Sequence, residues 1–187
     1  MRRFIAIIFS SLFVLSFLTS CSNNSNLPIN QGFVPSCAGI DTSSTSTNEL
    51  FLDCLDGSES INFFSINGPI VVNVWGSWCE ECRQEIPYFI ELYDDKLFKQ
   101  GEIKLLGVNV DESNRQSGID FIKKYGIKWP HLEDLEGKTK NLFGPGVPVT
   151  WFIDKSGLLA GKHIGAYSSS VLLFSDVRKY FNLNLKR

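Results

Sequence analysis

Histidine is scarce in this chain: only His131 and His163 occur among its 187 residues, so metal binding or acid–base work by imidazole has little to draw on. A basic block is also missing. Lysine and arginine total 18 against 20 aspartate and glutamate, a formal charge of −2, which speaks against nucleic acid as a partner. Cysteine is limited to five, and only Cys79 and Cys82 stand two residues apart. That spacing alone fits half a zinc site, a structural staple or a pair that exchanges electrons. A zinc site needs two more soft ligands; Cys37 and Cys54 lack the matching arrangement, and neither histidine falls near them in sequence. Covalent haem attachment needs histidine directly after the second cysteine, and Arg83 stands there. Apolar mass is not lacking. At 43% hydrophobic and 13% aromatic, the chain can bury a core without depending on disulfides.

The first twenty residues differ from the rest. Arg2 and Arg3 precede an apolar run from Phe4 to Leu18, the layout of a secretory signal. The run ends in Leu18-Thr19-Ser20-Cys21, which resembles the lipobox of bacterial lipoproteins, with Cys21 as the lipidated residue. It is short for a membrane span, which needs about 20 apolar residues. Removing residues 1–20 leaves 16 basic against 20 acidic residues, −4 net. The expectation is a lipid-anchored chain on the extracytoplasmic face of the cell membrane, where disulfides persist. Residues 1–21 then form leader and lipobox, 22–48 a tether and N-terminal extension, and 49–187 the folded domain. Of the remaining cysteines, pairing Cys79 with Cys82 leaves Cys37 with Cys54. That bridge closes a short loop through a Ser/Thr-rich segment and restrains a mobile extension.

Periodicity predicts two short strands, residues 49–54 and 60–66, joined at the turn signal Asp56-Gly57. Ile70 to Trp75 reads as a strand covered on both faces. Helical spacing runs from Cys79 through Ile86, Phe89, Ile90, Tyr93 and Leu97, with Pro87 expected to kink it. A strand at Ile103–Val110, a helix at Gln116–Tyr125, strands at Val149–Ile153 and Leu158–His163, and a final helix capped by Ser168 complete the order. The expected class is α/β: a central mixed sheet flanked by helices on both faces, with an N-terminal β-hairpin extension.

Trp75-Gly76-Ser77-Trp78-Cys79-Glu80-Glu81-Cys82, Pro87 and Gly146-Val147-Pro148-Val149-Thr150 resemble the thioredoxin fold, and more narrowly the membrane-anchored TlpA/ResA-type thiol-disulfide oxidoreductases. Independently of that likeness, Cys79 falls at a helix N-terminus, where free backbone N–H groups and the dipole favour a thiolate. Cys82 lies one turn behind, so Cys79 attacks and Cys82 resolves. Trp75 and Trp78 flank the pair as an apolar rim. The acids Glu80 and Glu81 disfavour the Cys79 thiolate slightly, tilting the pair toward reduction. His131, His163, Trp129 and Trp151 read as structural.

The resemblance implies a cis Val147-Pro148 bond packed beside the sulfurs, with the preceding backbone free to pair with a substrate strand. Asn73 stands where thioredoxins usually carry a titratable aspartate, and Glu85 lies three residues beyond Cys82. ResA-like proteins resemble the chain in both features, so Glu85 is assigned as proton acceptor for Cys82. The family further implies no cofactor beyond the redox-active disulfide, and a monomer that reduces protein disulfides. Its partners would be an apocytochrome c or relay protein as substrate and a membrane thiol carrier as electron donor, in cytochrome c maturation. General reduction or isomerisation of secreted proteins is the alternative within enzymes. A metallochaperone or assembly lipoprotein is the alternative outside them, although a Sco-type copper site would need wider cysteine spacing and a histidine.

Overall fold

The computed structural model describes residues 34–43 and 45–183. The leader, Cys21 and the start of the tether lie outside the described residues. The order is β1 (Phe51–Cys54), β2 (Ser60–Asn62), β3 (Ile70–Trp75), α1 (Glu80–Tyr93), α2 (Lys96–Lys99), β4 (Lys104–Val110), α3 (Arg115–Tyr125), β5 (His131–Asp134), β6 (Val149–Ile153), β7 (Leu159–Ile164) and α4 (Ser170–Tyr180). One mixed sheet of order β2-β1-β5-β4-β3-β6-β7 results. β3, β4 and β5 run parallel, and every other pairing is antiparallel.

The apolar run of β3 is buried at all six positions and lies inside the sheet between β4 and β6, as suits a strand covered on both faces. Val71 and Trp75 join Ile86, Phe89, Ile122 and Leu173 from α1, α3 and α4 in one core. Ile70, Val72 and Val74 face a second core with Cys37, Phe63 and Phe143. The long helices therefore share one face, where the sequence placed helices on both. The reason is topological. The crossovers β3–α1–β4 and β4–α3–β5 advance in the same direction across the sheet, so a right-handed connection puts both helices on the same side. The opposite face is closed by two single-turn 3-10 helices, Cys37–Gly39 and Phe63–Ser65, and by the segment carrying Phe143.

Several elements differ from the sequence expectation for local reasons. The second hairpin strand stops at Asn62, whose side chain caps the 3-10 turn by accepting from Phe64 N–H at 3.2 Å. The first long helix ends at Tyr93 instead of running through Leu97, because Asp95 caps a separate short helix, accepting from Leu97 N–H at 2.9 Å. α4 is capped by Ser169, one residue after the expected Ser168. Strand β5 was not foreseen. Its sequence HLED shows no apolar pattern, yet all four residues are buried between β4 and β1.

The extension is also better anchored than a tether: Val34, Cys37 and Ile40 are buried from residue 34 onward, ahead of the expected domain boundary at 49. Cys37 and Cys54 are disulfide-bonded, with Cα atoms 6.2 Å apart. Among the described residues no helix is long and apolar enough to cross a membrane. The bridge spans a sequence separation of 17, so replacing Cys37 and Cys54 together by alanine should lower stability by about 3 kcal/mol in urea denaturation.

Candidate active site

The turn from β3 into α1 sets the site. Cys79 N–H bonds back to Gly76 C=O at 3.1 Å, and Cys79 is itself the N-cap of α1, its Sγ accepting from Cys82 N–H at 3.1 Å. Cys79 and Cys82 are joined in a disulfide with Cα atoms 5.3 Å apart. Cys79 retains 3% exposure and Cys82 none, so the helix-mouth sulfur is the one that meets a partner first. Once the bond opens, the same N–H and the helix dipole stabilise a thiolate at Cys79.

Beyond the sulfurs, Val147 C=O lies 3.9 Å from Cys79 Sγ, and the Val147-Pro148 bond is cis. Trp78 is 54% exposed and folds back over Gly76, where a Cβ would come within 2.6 Å of its indole nitrogen, so a larger residue there would displace the indole. Trp75 is not on the rim with it. It is fully buried, stacked on Phe121 at 4.4 Å and donating from Nε1 to His131 Nδ1 at 3.1 Å. The alternation of β3 turns Trp75 inward, beneath the site. Burial drives the His131 pKa down to about 3, so this imidazole is neutral and accepts at Nδ1.

Glu85 lies in α1 one turn beyond Cys82 and has no solvent exposure. Asn73 Nδ2 donates to its Oε1 at 2.8 Å and Tyr167 N–H to its Oε2 at 3.1 Å. Burial outweighs both hydrogen bonds and raises its pKa to about 7. A carboxyl so poised can gain or lose a proton near neutrality. Asn73, which cannot titrate, instead fixes the group that can.

Two site residues were missed in the sequence. Glu112, just after β4, accepts from Ser77 N–H at 2.5 Å and Ser77 Oγ at 2.8 Å, and Asn109 Nδ2 donates to the same carboxylate at 2.9 Å. On the other side, Arg83 Nη1 donates to Ser77 C=O at 2.7 Å and pairs with Glu80. The turn before Cys79 is thus clamped from two directions. Arg83 also holds the Glu80 carboxyl below the usual carboxylate range and offsets the negative charge beside Cys79. The second missed residue is Tyr167. The signal for Glu112 was topological, since loops at the carboxyl ends of parallel strands converge on such a site. Cys37, Cys54 and Asp56 also bring ligand atoms within 4.8 Å of one another, but both sulfurs are spent in their bond.

The sequence model of the AhpC/TSA family matches residues 48–162. The thiol-disulfide oxidoreductase ResA of Geobacillus kaustophilus is 35% identical over 89 residues, 47% of this chain and 49% of that one, so this alignment spans about half of the relative. ResA of Bacillus thuringiensis is 28% identical over 163 residues, 86% of this chain and 91% of the relative. The crystal structure of a secreted Mycobacterium tuberculosis disulfide oxidoreductase matches with a TM-score of 0.59 at 19% identity, over 70% of this chain and 96% of that one. The likeness fixes the fold as thioredoxin-like.

Removing the clamp with Glu112→Ala should slow thiol exchange at Cys79 roughly tenfold, whereas Glu112→Gln, which still accepts from Ser77, should stay close to the natural rate; stopped-flow reduction by dithiothreitol checks both. Glu85 yields a second expectation. Its folded-state pKa exceeds the unfolded 4.5, so the native chain binds the extra proton between about pH 4.5 and 7. The associated stability is full below pH 4.5 and lost as pH rises through 7. Glu85→Gln should therefore gain on the natural chain by up to about 3 kcal/mol between pH 4 and pH 8, read from urea denaturation at the two values.

Proposed function

We propose that this chain, which belongs to the AhpC/TSA family and is a thiol-disulfide oxidoreductase, works as a lipid-anchored extracytoplasmic reductase of protein disulfides in cytochrome c maturation. The observation that carries the reading is the Cys79–Cys82 disulfide at the mouth of α1 with the buried Glu85 carboxyl one turn behind it.

In the reduced protein the Cys79 thiolate attacks one sulfur of a partner disulfide. A mixed disulfide forms and the partner's other sulfur leaves as a thiolate. Cys82 then loses its proton to Glu85 and attacks Cys79 Sγ, re-forming the Cys79–Cys82 bond and releasing the partner's second sulfur. Two electrons pass to the partner. The cis Val147-Pro148 segment leaves the Val147 backbone available to a partner strand, and exposed Trp78 supplies apolar contact beside it. The resemblance to ResA supports an apocytochrome c or its relay protein as partner, and a membrane thiol carrier as the donor that re-reduces the pair. Lipidation at Cys21 supplies the anchor in this reading.

The purified domain should reduce insulin disulfides, with loss of activity in Cys79→Ser, and its potential should fall at or below about −270 mV; a value near −120 mV would reverse the direction. Cys82→Ala should accumulate a mixed disulfide whose mass identifies the partner. Recovery of secreted proteins without the haem-binding Cys-x-x-Cys-His segment would replace cytochrome c maturation with general disulfide reduction.

A further inference from the structure

The connection from β7 to α4 touches both halves of the site. Gly165 N–H donates to Pro148 C=O at 3.0 Å, on the side of the cis peptide. Two residues on, Tyr167 N–H donates to Glu85 Oε2 at 3.1 Å, on the side of the buried carboxyl. A backbone N–H in a loop is as well placed as the loop is fixed, and here the fixing is done by the tyrosine side chain. Tyr167 is 2% exposed, its ring packs edge-on against Phe89 of α1 at 6.2 Å, and His163 of β7 stacks on it at 4.0 Å. Its hydroxyl donates to Asp176 Oδ2 of α4 at 2.9 Å, and the same oxygen lies 3.5 Å from His163 Nδ1. Three elements thus converge on one side chain whose own backbone holds Glu85. The charged and titratable groups around it are Glu85 from α1, His163 from β7, and Asp176 and Tyr180 from α4.

We propose that Tyr167 is a positioning residue for the thiol chemistry: the Asp176–Tyr167 clamp, with His163 stacked on the ring, holds the Tyr167 amide against Glu85 and so sets where the Cys82 proton is received. This rests on Glu85 as the acceptor of that proton. A filler of the core would need no hydroxyl, and burying one obliges the chain to supply a partner for it. That partner is a half-buried carboxylate of α4, so the phenol is tied to a defined point and not merely packed. The amide bond to Glu85 favours its ionised form, and loosening it leaves burial less opposed.

The test is the pH dependence of insulin reduction by the full-length protein in Tyr167→Phe, Asp176→Ala, Asp176→Asn and Glu85→Gln. Tyr167→Phe keeps the ring and loses only the hydroxyl; Asp176→Asn still accepts from it. Because the ionised carboxyl accepts the proton, the rate rises with pH through the Glu85 midpoint. Tyr167→Phe and Asp176→Ala should move that midpoint upward by about half a unit and slow reduction at pH 7 about threefold, while Asp176→Asn stays within about twofold of the natural protein. Thermal melts report folding independently, and if Tyr167→Phe fails to fold, the Asp176 pair carries the test. An unmoved midpoint in Asp176→Ala, with the inflection abolished by Glu85→Gln, overturns the role of Tyr167 and leaves Glu85 in place. An inflection that survives Glu85→Gln overturns the acceptor assignment, and this inference falls with it.

Discussion

Cys79 has to end a strand-to-helix turn and begin a helix in the same residue, and the rest of the site follows from that constraint. β3 is buried on both faces and cannot shift. Only Gly76, Ser77 and Trp78 separate it from the sulfur, and the Cys79 N–H to Gly76 C=O bond closes them into a turn. The sulfur is delivered to four unpaired N–H groups at a helix start, one of which it accepts directly. A turn this short has few contacts of its own, so it borrows them. Glu112 takes the Ser77 N–H and hydroxyl, Arg83 takes the Ser77 carbonyl, and the indole of Trp78 lies across Gly76.

Beneath the turn the structure accepts a local loss of stability. A carboxyl with no solvent exposure and only neutral donors around it is an expensive thing to bury at neutral pH, and its pKa rises accordingly. Asn73 makes this tolerable in a way aspartate would not. An acid at that position would set two carboxyls against each other within hydrogen-bond reach and push the titration further up. The amide donates instead, and Glu85 stays near the pH at which a proton can move either way. A buried carboxyl that stability alone would not favour, set one turn behind a pair of thiols, is where function is expected to lie.

How much of this was legible in the sequence depended on whether one element carried the signal. The β3 run, the helix opening at Cys79 and the hairpin turn at Asp56-Gly57 are each local patterns, and each stands where the residues placed it, whereas the cis Val147-Pro148 bond was legible only through the family resemblance. Glu85 was reachable because its spacing from Cys82 is a property of one helix. β5 was not, because His131, Glu133 and Asp134 are polar residues that find partners outside the strand: Trp75 and Arg115 far off in sequence, and Thr139 in the following loop. Glu112 and Tyr167 were hidden for the same reason, since nothing near them in sequence announces Ser77 or Glu85. Trp75 was misplaced because a tryptophan beside a redox pair suits a rim or a core, and only the β3 alternation decides between them. The grouping of the helices on one face needed the strand order, which no local pattern contains.

The same sheet keeps two disulfides chemically apart. Cys54 sits on β1 and Cys79 follows β3, three places away in strand order, or about 14 Å at the usual strand spacing. They also belong to opposite cores, Cys37 and Cys54 to one and Cys79 and Cys82 to the other. Thiol exchange requires a thiolate in line with the sulfur it attacks, so no native geometry lets one pair reduce the other. Their surroundings differ in kind as well. Cys79 has a helix mouth to stabilise a charge, whereas Cys37 packs against the carbonyl of His131 and the sulfurs of that pair have the Asp56 carboxylate close by, groups that oppose a thiolate. That asymmetry leaves one bond placed to open and close while the other holds residues 34–40 against the sheet.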